Sequence, residues 1–121
     1  MTDRLKEITY KSKTIIVIDL SHAEPDVVTS IIPEAIAFIS KKPPKSCLVL
    51  TDVSGATYNK PVAEAIKDFV KKNTPFIKAS AVVGAEGVRQ VLLQTVIFLT
   101  RRELKSCNSR AEALDWLVSR E

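Results

Sequence analysis

Histidine, tryptophan and methionine each occur once in the 121 residues, cysteine twice, and aromatic rings make up only 6% of the chain. One histidine and two distant cysteines form no Cys/His cluster, which leaves a structural metal site without ligands. Cys47 and Cys107 fall in expected strands with no C-x-x-C spacing, so buried, reduced thiols are expected rather than a disulfide framework. No stretch approaches the ~20 apolar residues of a membrane span. The opening Met-Thr-Asp-Arg-Leu-Lys-Glu has no apolar signal core, and a cytoplasmic protein is expected. There is no G-x-S-x-G elbow to expose a nucleophilic serine.

Charge is present but not gathered. Eighteen basic and 14 acidic side chains are interleaved and give a net charge of +4. A nucleic-acid surface would concentrate its cations and set aromatic rings among them, so no nucleic-acid partner is expected. The densest basic spots are the pairs Lys41-Lys42, Lys71-Lys72 and Arg101-Arg102, each at an expected helix end, where cations complement the helix dipole. An apolar fraction of 45% beside 26% charged residues is ordinary for a globular chain, and the length suits one domain over residues 1–121.

Periodicity supplies the elements. Leu5 to Lys11 alternates as a half-exposed edge strand, a Ser12-Lys13 turn follows, and Thr14 to Asp19 is an apolar, β-branched run suited to a strand covered on both faces. Pro25 opens a helix carrying Val28, Ile31, Ile32, Ala35, Phe38 and Ile39, and Pro33 is expected to kink or split it. Cys47 to Asp52 is the next strand. A polar loop, Val53 to Tyr58, leads to Asn59 as cap of a helix with the stripe Val62, Ile66, Phe69 and Val70. Phe76 to Val83 is a strand with Ile77, Ala79, Ala81 and Val83 on one face and Lys78, Ser80 and Val82 on the other, the second face less covered near Lys78.

The expected helix Val88–Arg102 is apolar nearly all round. Leu93, Ile97 and Phe98 exceed the arc that one sheet needs. The last helix could cover them, or they could form a dimer seam, a partner surface or a lipid pocket. Leu104 to Cys107 is a final strand, and Ser109-Arg-Ala-Glu112 matches a capping box that opens a last helix. The order β-β-α-β-α-β-α-β-α describes an α/β domain with a mixed five-stranded sheet. Its first strand is antiparallel at an edge and the others are joined by right-handed crossovers.

The carboxyl edge of such a sheet is where function tends to gather. Asp19 and Asp52 both end strands that should be neighbours, and with His22 they suggest acid–base chemistry. Each aspartate equally suits a turn cap. Gly84-x-x-Gly87 before a helix could cradle an anion, but Glu86 opposes this. Ser54 is a candidate contact or phosphoacceptor, since a phosphate there would lie near the start of the Asn59 helix.

Three segments, Thr51-Asp-Val-Ser-Gly-Ala-Thr-Tyr-Asn-Lys60, Lys78-Ala-Ser-Ala-Val-Val-Gly84 and Ala111-Glu-Ala-Leu-Asp-Trp-Leu117, together with the element order, resemble the STAS domain of bacterial anti-sigma-factor antagonists. The likeness is greatest to short bacterial STAS-like or CRAL-TRIO-like proteins. The resemblance implies a non-enzymatic, cofactor-free module that binds a protein partner or itself through Asp52, Ser54, Gly55, Thr57 and Tyr58. The antagonists' double serine is replaced by Asp52-Val-Ser54-Gly55, leaving Ser54 as the candidate phosphoacceptor. The alternative is a small carrier of a lipid or other apolar ligand, with Lys78 at the head group and Leu93, Ile97 and Phe98 along the tunnel.

Overall fold

The computed structural model describes residues 3–57, 59–85 and 103–120. Five strands form one sheet in the order β1-β2-β3-β4-β5. They are β1 (Leu5–Tyr10), β2 (Lys13–Asp19), β3 (Cys47–Asp52), β4 (Ile77–Val83) and β5 (Glu103–Cys107). β1 pairs antiparallel with β2, and every later neighbour is parallel. The mixed sheet, its chain-ordered parallel strands and the antiparallel edge agree with the sequence pattern. The expected helix over residues 88–102, with Leu93, Ile97 and Phe98, lies outside the described residues, as do Tyr58 and Gly87.

β2 and β3 are buried on both faces because each face meets helices. Ile16, Ile18, Cys47 and Val49 join α1 (Pro25–Ile39) and α2 (Lys60–Asn73) in one core layer. Ile15, Val17, Leu48 and Leu50 join α3 (Arg110–Val118) in the other. Burying each such side chain contributes roughly 1.5–3 kcal/mol. The hairpin turn is Lys11-Ser12, one residue earlier than expected. Both residues have positive φ, at 49° and 70°, the pair of values that a two-residue turn matching the strand twist requires.

Two expectations are corrected. Pro33 does not split its helix, since α1 runs unbroken from Pro25 to Ile39 with Pro33 inside it. Pro33 is on the exposed face, while Val28, Ile31, Ile32, Ala35 and Ile39 hold the opposite face in the core. In β4 the alternation is interrupted: Cys47 pairs with Ile77 but Leu48 pairs with Ala79, which makes Lys78 the extra residue of a bulge. Ile77 thereby turns to the α1–α2 layer, while Ala79, Ala81 and Val83 face α3. Ser80, expected on a thinly covered face, is only 3% exposed, and Lys78 alone reaches solvent there.

The helix ends follow their sequence signals. Asn59 Oδ1 accepts from Val62 N at 3.0 Å, and Ser109 Oγ accepts from Glu112 N at 3.1 Å. Beyond α2 a single 3₁₀ turn, Thr74–Phe76, leads into β4. Asn73 is fully buried, and its side-chain amide donates to Ile36 O at 3.3 Å, tying α2 to α1.

Candidate functional site

The carboxyl ends of β2 and β3 carry nearly the same five residues, Asp19-Leu-Ser-His-Ala23 and Asp52-Val-Ser-Gly-Ala56. They fold into the same turn. Ala23 N donates to Leu20 O at 3.1 Å, and Ala56 N donates to Val53 O at 3.0 Å. The third turn residue has positive φ in both, 55° at His22 and 67° at Gly55. Each aspartate accepts from the backbone N–H of the serine two residues on, at 3.0 Å for Asp19 and 2.9 Å for Asp52. The turn-capping role expected of both aspartates is therefore present.

The twin turns are stacked by backbone bonds that extend the sheet beyond its strands. Leu20 N donates to Asp52 O, Val53 N to Val83 O, and His22 N to Ser54 O, all within 2.8 Å. Thr57 N donates to Ala23 O at 3.0 Å, so the loop after β3 is fastened along both arms. Ser54 rests against Gly84, whose φ of 82° and missing Cβ allow the close approach. The His22 imidazole lies over Gly55 and fills the space that a Cβ would take there.

Asp19 and Asp52 are in-register partners, and Arg110, the first residue of α3, reaches both. Its Nε donates to Asp52 Oδ2 at 2.7 Å, and its Nη2 lies 3.1 Å from Asp19 Oδ1. The Asp52 side chain is only 8% exposed, against 42% for Arg110. Burial raises the carboxyl pKa of both aspartates. For Asp19 it is outweighed by the Ser21 hydroxyl and N–H and the positive charges of Arg110 and Arg4, and for Asp52 by hydrogen bonding from Ser54 and by Arg110, so both end below the usual carboxylate value. Two carboxylates held ionised are suited to structural pairing, whereas a general acid needs its pKa raised. Arg4 fastens the same corner, donating to Asp19 O at 3.0 Å and Ser21 O at 3.2 Å.

The loop residues singled out in the sequence thus come together in part. Asp52 is buried beneath the loop, Ser54 is half-buried, and Gly55 and Thr57 are exposed beside exposed His22. Lys78 is not with them. It lies at the amino end of β4, whereas Asp52 pairs with Val83 at the other end, a separation of about 16 Å at strand rise. Arg110 was hidden in the sequence inside the capping box. Its signal is a cation in a first helical turn, where the helix dipole disfavours it unless carboxylates await it. The twin turns were hidden because histidine stands in one where glycine stands in the other.

No protein-family model matches the chain, and no curated protein matches it in sequence. Solved structures match its fold. An uncharacterised protein of the DUF3478 family with a SpoIIAA-like fold, from Shewanella loihica, superposes with a TM-score of 0.61 at 18% identity, over 93% of this chain and 91% of that one. An anti-sigma-factor antagonist (STAS) domain protein from Planctomyces limnophilus gives 0.60 at 16% identity, over 94% and 97%. The chain has a STAS-like fold. Among the described residues no helix is long and apolar enough to cross a membrane.

Proposed function

We propose that this STAS-like domain is a non-enzymatic regulatory module whose twin-turn edge, His22 with Ser54, Gly55 and Thr57, is read by a protein partner. The observation that carries the reading is His22 itself. It occupies a left-handed turn position that its twin fills with glycine, and a non-glycine residue there costs about 1 kcal/mol. An exposed side chain kept at such a cost is more readily explained by a contact outside the chain than by the fold. The neighbouring loop is preorganised by backbone bonds, which lowers the entropy lost on docking. With Asp19 and Asp52 already bound to Arg110, the polar groups left for recognition are those of the turns. Ser54 is the candidate phosphoacceptor within the same edge.

The test separates binding from folding. His22→Gly is expected to raise the melting temperature slightly while weakening capture of a partner first identified with the wild-type chain. Thr57→Arg is expected to weaken capture without changing stability. Unaltered capture by both variants refutes the reading.

A further inference from the structure

At the opposite edge of the sheet, where the parallel strands begin, eight lysines come together from three stretches of sequence. Lys11 lies in the β1–β2 turn and Lys13 follows it; Lys41, Lys42 and Lys45 lie between α1 and β3; Lys71, Lys72 and Lys78 surround the passage from α2 into β4. Strand order makes these neighbours, since the sheet runs β1-β2-β3-β4 without a break. The two loops are also joined, because Lys45 N donates to Pro75 O at 3.0 Å and Ser46 N to Phe76 O at 3.1 Å. Three carboxylates meet the lysines here, Glu7 on Lys42, Asp68 on Lys72 and Asp115 on Lys11. Lys41, Lys45, Lys71 and Lys78 are exposed and have no ion-pair partner among the described residues.

Helix-end complementarity accounts for Lys71 and Lys72 alone. α1 has no basic residue in its last turn, and Lys11, Lys13, Lys45 and Lys78 belong to a hairpin, a loop and a strand. Lys11 and Lys45 moreover hold φ of 49° and 52°, positions where asparagine or glycine would sit with less strain. Cations kept at strained positions along one edge point to an anionic partner.

The spread of the charge decides which kind. It covers about 15 Å across four strands rather than lining a groove. Exposed Pro43, Pro44 and Pro75 stand among the lysines, while Tyr10 and Phe38, rings at this edge, are half-buried and lie beneath Lys11 and Lys42 rather than standing open for base stacking. Ammonium groups acting as diffuse point charges around short apolar tips match the headgroup layer of an anionic bilayer. We infer that this lysine edge docks the domain on anionic membrane surfaces, leaving the twin-turn edge turned away from the lipid.

Flotation of the full chain with vesicles tests this. Binding is expected to vesicles containing roughly one-third phosphatidylglycerol, to be absent with phosphatidylcholine alone, and to disappear as salt shortens the Debye length to about 3 Å. Lys45→Ala and Lys78→Ala should each lower the partition coefficient about fivefold. Lys60→Ala, at the far end of α2, should leave it within about twofold. Equal binding to both vesicle types, or unchanged binding by the lysine variants with wild-type melting curves, overturns the inference. So does capture of a single-stranded oligonucleotide through these same lysines with no vesicle binding.

Discussion

Replacing Arg110 by alanine removes both arms of the clasp on Asp19 and Asp52 and leaves Asp52 largely buried with its hydrogen bonding from Ser54. Breaking a fully buried pair from one side costs about 3–5 kcal/mol. The Arg110 side chain is 42% exposed, so water partly replaces it and solvent screening lowers the figure to about 2 kcal/mol. For a chain of this size that is a fall in melting temperature of about 8 °C. The difference must depend on pH. Folded-state carboxyl pKa values below the unfolded values add stability that is complete above the unfolded value of about 3.9 and drains away as pH falls through the lowered folded values. Calorimetry from pH 7 downward should therefore show a gap that is full above about pH 4 and narrows steadily as the pH falls below it. Arg110→Lys should recover less than half, because an ammonium lacks the planar fork that spans two carboxylates. Equal melting of wild type and Arg110→Ala at pH 7, or a gap that does not narrow in acid, refutes the clasp.

Gly84→Ala should destabilise by about 2 kcal/mol, because its Cβ would lie 2.6 Å from Ser54 Cα, a backbone atom with nowhere to go, at a φ that opposes a side chain. Gly55→Ala should cost only about 1 kcal/mol, since the atoms it meets belong to the His22 ring, which can swing aside; denaturant midpoints check the order. Ser12→Gly should stabilise by about 1 kcal/mol in the same assay, as φ of 70° suits glycine in the hairpin turn. Cys107, whose thiol is pushed up to about 11 by burial and Glu112, and Cys47, raised by burial, should react with a thiol reagent at pH 8 only after denaturant is added.

Where periodicity and local chemistry agree, the sequence told the fold. The β-branched run of β2, the apolar run of β3, the Asn59 and Ser109 caps and the meeting of Asp19 with Asp52 all rest on rules that act within a few residues or between consecutive strands. The misses depend on longer-range balances. Pro33 could stay inside α1 because five buried neighbours outweigh one lost bond. The Lys78 bulge leaves no mark in a stretch of small residues, where Ala79 and Ser80 fit either face. The site was legible as a place, through its strand-end aspartates and polar loop. Arg110 was not, since 58 residues separate it from Asp52 and only the folded sheet brings them together.

That separation has a kinetic meaning. The clasp joins α3 to the ends of β2 and β3, a long-range contact that chain entropy disfavours until the sheet is in place. An interaction formed after the folding barrier adds nothing to the folding rate and its full worth to the barrier against unfolding. Arg110 thus acts as a late-closing lock: its loss should steepen the escape from the native state while the chain still folds at its original speed.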